Sequence, residues 1–152
     1  MPATEGHIQT VADNVREADR QEIWASSHRQ PLESIMSSAE ASREVYAGLA
    51  DGEAMCIFGF CAATFTSDIA CPWMIGAKGL EKHAKAFMKM SRPFIDRMNQ
   101  RHKYLRNFVD ARNEKAIKWL KVMGFRMFSP VPFGAAGLPF HPFERVQEKS
   151  NV

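Results

Sequence analysis

One stretch constrains the fold of this chain more than any other: Glu53 to Thr66, in which nearly every position from Ala54 to Phe65 is apolar. A strand with one wet face alternates polar and apolar side chains, whereas an unbroken apolar strand is buried on both faces. The run therefore predicts an interior strand of a sheet covered by helices on each side. Asp51-Gly52 stands just before it, the dipeptide that most favours a two-residue type I′ turn, and Val45 to Ala50 precedes that turn. The two runs predict a hairpin.

Around this hairpin the periodicities are mixed. Ile8 to Ala12 is a short apolar stretch read as a first strand, with Asp13 as cap of a polar helix running to about Ser27. Pro31 suits a first helical position, and Leu32, Ile35, Met36 and Ala39 follow at helical spacing. Ile69 to Ala77 reads as a strand whose Pro72 cannot donate to a ladder, which predicts an edge or a bulge there. Leu80 to Arg101 is the longest helix; Leu80, Ala84, Phe87, Met88, Ser91, Phe94, Ile95 and Met98 share a face, and Pro93 should bend it. Tyr104 to Asp110 returns as a strand. Asn113 caps a short helix with Ala116, Ile117, Leu120 and Met123 inward, and Gly124 ends it. Phe125 to Phe133 and Phe140 to Val146 close the chain as strands. The expected fold class is α/β, a mixed, mostly antiparallel sheet with helices on both faces, built as one domain over residues 1–152.

Composition narrows the function classes. Net charge is +3, short of the dense Lys/Arg clustering of a dedicated nucleic-acid binder. Cys56, Cys61 and Cys71 form no CxxC pair and have no His at metal-ligand spacing, which predicts buried thiols in a reducing compartment and no metal site. No apolar run reaches the roughly 20 residues of a membrane helix, and Met1 to Thr10 has no signal pattern. His7, His28, His83, His102 and His141 are scattered. The expected location is the cytoplasm of the cell that makes the protein.

The segment Asn113-Glu-Lys-Ala116-Ile117-Lys-Trp-Leu120-Lys-Val-Met-Gly124-Phe125 resembles the signature around the last helix of the Gcn5-related N-acetyltransferases (GNATs). The Pro72 strand is similar to that family's bulged fourth strand, which splays from its neighbour to admit the pantetheine arm. Within the superfamily, Val15-Arg-Glu-Ala-Asp19-Arg-Gln-Glu22, Trp73 before a basic helix, and Asn113…Trp119-Leu120…Gly124-Phe125 resemble the podophage internal virion proteins with a GNAT-like domain. Two departures bear on chemistry. Active GNATs carry an Arg/Gln-x-x-Gly-x-Gly/Ala loop whose amides hold the coenzyme A pyrophosphate; here Met74-Ile75-Gly76-Ala77-Lys78-Gly79-Leu80 lacks the pattern. The family's usual proton-donating Tyr is replaced by Leu120.

The resemblance implies a phage-encoded scaffold, a virion assembly or internal virion component without efficient acetyl transfer, which needs no cofactor and whose partners are other virion proteins. It would reside in the host cytoplasm or the virion. The alternative is an active acyl-coenzyme A N-acyltransferase, with Trp73 and Ile75 at the pantetheine, Gly76, Lys78 and Gly79 at the phosphates, Asn113 on the coenzyme, and water in place of the Tyr. A nucleic-acid-binding accessory ranks third. Each signal also has a plain structural reading. Gly76 and Gly79 make a tight turn, and Asn113 is a helix cap. Lys82, Lys85, Lys89 and Arg92 form a solvated helix face. Asp19 and Glu22 join Arg16 and Arg20 in a surface ion-pair lattice. The aromatic, proline-rich runs Phe125–Phe133 and Phe140–Phe143 are a partner site if exposed.

Overall fold

In a computed structural model, which describes residues 1–148, the chain forms a seven-stranded sheet with helices on both faces. Three helices come first: α1 (Glu5–Asp13), α2 (Glu17–Ser27) and α3 (Pro31–Ala41). Next are β1 (Ser42–Ala50), β2 (Glu53–Cys61) and β3 (Ile69–Gly76), then a 3-10 turn (Leu80–His83) leading into α4 (Ala84–Arg101). β4 (Tyr104–Asp110), α5 (Glu114–Val122), β5 (Arg126–Met127), β6 (Val131–Phe133) and β7 (Leu138–Val146) complete it. The strand order is β1-β2-β3-β4-β7-β5, with β6 also paired to β7. All pairings are antiparallel except β3 with β4, which α4 connects.

The hairpin forms as read. Ala50 pairs with Glu53 across Asp51 and Gly52, whose φ angles of 52° and 80° are the two positive values a type I′ turn requires. β2 is interior, and its alternate side chains feed two cores. Cys56, Phe58 and Phe60 pack with Phe87, Phe94, Ile95 and Met98 of α4, while Ile57 packs with Val11 of α1, Val15, and Ile35 of α3.

Several expectations are corrected. Ile8 to Ala12 is helix, because Ile8, Val11 and Ala12 bury one face at helical spacing and Thr4 with His7 forms a capping box. Asp13 therefore ends a helix instead of capping one, and accepts a bond from Gln9. α3 starts at Pro31 as expected, but Ile35 alone of the apolar stripe is fully buried; Leu32 and Met36 are exposed. Pro72 makes no bulge, but it does lie where one side of β3 is locally an unpaired edge. The β2–β3 register runs unbroken from Cys61↔Cys71 to Cys56↔Gly76. The carbonyl of Pro72 points to β4, so the missing N–H on that side faces a gap where no ladder partner exists. Of the thiols only Cys56 is buried, which pushes it up to about 12; Cys71 is exposed. Among the described residues, no helix is long and apolar enough to cross a membrane.

Candidate functional site: a split between two parallel strands

β3 and β4 pair only through Ile69↔Tyr104 and Ala70↔Leu105 and then diverge. β4 instead stays with β7 on its other side through seven consecutive pairs. Asn107 Nδ2 reaches across the start of the split to Pro72 O at 2.8 Å. The opening is a cavity of about 330 Å³ that runs from the α2 side of the sheet to the α4 and α5 side. Trp73 and Ile75 line it from β3, Glu22 and Ile23 from α2, and Trp119 and Leu120 from α5.

Its mouth is acidic and tightly bonded. Asp19 is buried; its Oδ2 accepts from Gly76 N at 2.8 Å, and its Oδ1 accepts from Asn113 Nδ2 at 3.0 Å and Arg16 at 3.2 Å. Burial raises its pKa against the pull of Arg16 and these donors. Glu22 accepts from Asp110 N at 2.7 Å and is pushed up to about 8, chiefly by burial, with the charges of Asp19 and Asp110 adding to it. Asp110 is buried too, which alone would raise it, yet the Arg112 guanidinium and amide hold it below the ordinary carboxylate range. Among the described residues no three His, Cys, Asp or Glu side chains converge as a metal would require.

The loop after β3 has little left to offer an anion. Gly76 N goes to Asp19, Ala77 N to Met55 O at 2.8 Å, Lys78 N to Asn14 O at 2.7 Å, and Leu80 N to Ala77 O at 3.2 Å. Arg16 N donates to Gly76 O, and Val15 bridges Ala77, so the chain between α1 and α2 lies strapped across the loop. A Cβ on Gly76 would come within 2.9 Å of Leu80 and 3.1 Å of Arg16, and Gly79 has a φ of +92°. Both glycines serve a tight turn. An anion at the amides of Gly76, Ala77, Lys78 or Leu80 would first have to displace an internal bond, whereas Gly79 N has no such partner among the described residues.

The residues singled out by sequence fall as follows. Trp73, Ile75 and Asn113 line the cavity, Gly76 and Gly79 shape the loop, and the Lys78 side chain is exposed. Trp73 is anchored by its Nε1 donating to Ser42 at 2.7 Å. Asn113 sits at the helix cap position but makes no capping bond; it bonds Asp19 instead, and its Oδ1 is buried without a partner. Trp119 Nε1 is likewise buried and unpartnered beside the same cavity. Leu120 is 7% exposed and packs in the core at the cavity wall. Phe125, Phe140 and Phe143 are buried, Phe133 stacks on Phe108 at 4.1 Å, and Phe128 and Val131 are exposed.

The surface lattice expected of Asp19 and Glu22 is corrected: α2 lies over the split, which draws both carboxylates inward. Asp19, Glu22, Ile23 and Ser26 all line the cavity, and their i, i+3, i+4, i+7 spacing was the signal available in sequence. Asp110 was passed over as the last residue of a strand.

No family model and no curated protein matches the sequence. Solved structures match closely in shape. The ribosomal-protein-alanine N-acetyltransferase of Brucella melitensis superposes with a TM-score of 0.72 over 96% of this chain and 98% of its own, at 12% identity. The aminoglycoside acetyltransferase AAC(6')-Ib, in complex with ribostamycin and coenzyme A, gives 0.68 over 100% and 96%, at 13% identity. A GNAT-family acetyltransferase of Streptococcus pneumoniae gives 0.58 over 78% and 75%, at 10% identity. The strand order, the split between parallel β3 and β4, and these superpositions agree: the chain has the fold of the GNAT acetyltransferases.

Proposed function

We propose that this is a GNAT-fold protein that has kept the cleft of an acyltransferase and given up coenzyme A-dependent acetyl transfer, and that it serves as a phage virion assembly or internal virion component. The observation that carries the first part is the loop after β3, whose amides at Gly76, Ala77 and Lys78 are bonded to Asp19, Met55 and Asn14. Leu120 adds to it: a buried hydrocarbon has no proton to give a departing thiolate. The phage role rests on the resemblance of Val15–Glu22, Trp73 and Asn113–Phe125 to the podophage proteins. Fold alone supports neither part, because one fold hosts many functions.

A second reading, an active acyl-coenzyme A N-acyltransferase, has one specific observation in its favour besides the fold. Glu22 lines the open cleft, where burial pushes its carboxyl up to about 8, close to the pH at which a general base works. Calorimetric titration with acetyl-coenzyme A separates the two. No measurable binding supports the scaffold; a dissociation constant in the low micromolar range, with turnover lost in Glu22→Gln, establishes the enzyme. Mass spectrometry of purified phage particles tests the virion role separately, and absence of the protein from particles and assembly intermediates would refute it.

A further inference from the structure

We infer that the outer faces of α4 and α5 together form a binding surface for the sugar-phosphate backbone of duplex nucleic acid. In the sequence, Lys82, Lys85, Lys89 and Arg92 make one cationic row on one helix, which by itself is an ordinary solvated face. The structure sets a second row beside it. Lys115, Lys118 and Lys121 recur every three residues along α5, and all seven side chains are exposed. Three contacts fix the two helices side by side and pointing the same way. Lys115 Nζ meets Glu81 at 3.0 Å where both begin, the Phe87 and Trp119 rings lie 5.7 Å apart midway, and Arg92 donates to Val122 O at 2.9 Å where α5 ends. At 1.5 Å per residue the rows are about 15 Å and about 9 Å long.

Few carboxylates interrupt this band. Glu81 and Glu114 lie at its end, and Glu81 is already held by Lys115 and Arg16. Among the described residues Lys82, Lys85, Lys89, Arg92, Lys118 and Lys121 have no carboxylate partner. The whole chain carries a net +3, so seven cations against two carboxylates on one face leave the rest of the molecule net acidic. Such asymmetry orients an approaching polyanion, which a uniform +3 does not.

Charge complementarity selects the occupant. Lysine is depleted in protein–protein interfaces, which depend on aromatic anchors, and the large apolar side chains exposed along this band are only Met90 and Val122. Cations spaced about 4.5 to 6 Å along a helix instead suit duplex phosphates, which present one charge per roughly 1.7 Å of axis and are contacted without regard to sequence.

The test is fluorescence anisotropy of a labelled duplex of about 20 base pairs with the whole protein, at about 50 and 200 mM salt. Binding should weaken steeply between the two salts, with a log–log slope of about −3 to −5. Lys85→Glu, Lys89→Glu and Lys118→Glu combined should reduce affinity at least about tenfold and flatten the slope, with an unchanged melting temperature. Lys103→Glu, on another face, should leave binding as it is. No binding at the lower salt, or equal binding by the triple variant, would overturn the inference. Poly-glutamate displacing the duplex as effectively as unlabelled duplex would also overturn it, in favour of an acidic protein partner. None of these outcomes depends on whether acetyl-coenzyme A binds.

Discussion

Glu22→Gln isolates the energetic cost of the acidic mouth. In the folded protein the Glu22 carboxyl titrates near pH 8, against 4.5 for an unperturbed glutamate, because burial and the neighbouring Asp19 and Asp110 disfavour its anion. A folded-state value raised in this way means that the folded protein holds a proton the unfolded chain releases. The associated stability is complete below about pH 4.5 and is lost as pH rises through about 8. At 1.36 kcal/mol per pH unit, that interval sets a ceiling of about 5 kcal/mol. Gln keeps the acceptor that Asp110 N uses and removes the charge, at a cost of about 1 kcal/mol if its new amide protons find no partner. Near pH 5 the variant should therefore match the parent or fall about 1 kcal/mol below it, and near pH 9 it should be more stable by several kcal/mol. Denaturant unfolding from pH 5 to 9 reads this directly. Parallel pH profiles for the two proteins would show that the Glu22 carboxyl is solvated and the mouth is not a desolvated site.

Two further substitutions probe the frame that holds the split open. Leu120→Ala should cost about 2 to 4 kcal/mol, the lower part of the range for buried leucine because one side of Leu120 already faces the cavity; thermal unfolding checks it, and a variant as stable as the parent would remove Leu120 from the core. Gly59→Ala places a Cβ 2.5 Å from Glu44 O and 3.3 Å from the Trp73 ring, so it should lower the melting temperature and turn Trp73 out of its contact with Ser42, visible as a shift in indole fluorescence.

The parts of this structure legible in sequence are those settled locally. The turn at Asp51-Gly52, the unbroken apolar run of β2, β4, and the amphipathic face of α4 each carry their own signal within a few residues. α1 carried one too, since Ile8, Val11 and Ala12 have helical spacing, but a short apolar run favoured the strand reading. Pro72 was informative in a different way. It marked a strand side without a ladder partner, and that partner is missing because β4 departs and stays with β7, some seventy residues later. The acidic mouth was least legible. Of α2 only Asp19, Ile23 and Ala25 are buried as whole residues, and Glu22 is half-buried with its carboxyl turned inward, so the inward face reads as polar surface until the split beneath it is known. Asn113 was found as a helix start, whereas its bond to Asp19, ninety-four residues away, was not.

Amide hydrogen exchange at Gly76, Ala77 and Lys78 tests the central claim, that the chain's own groups occupy the loop where a coenzyme's phosphates would sit. Bonded to Asp19, Met55 and Asn14, these three amides should exchange slowly in the free protein and at the same rates with excess acetyl-coenzyme A. Fast exchange in the free protein that becomes slow when the coenzyme is added would contradict the account and show an open cradle that the coenzyme fills.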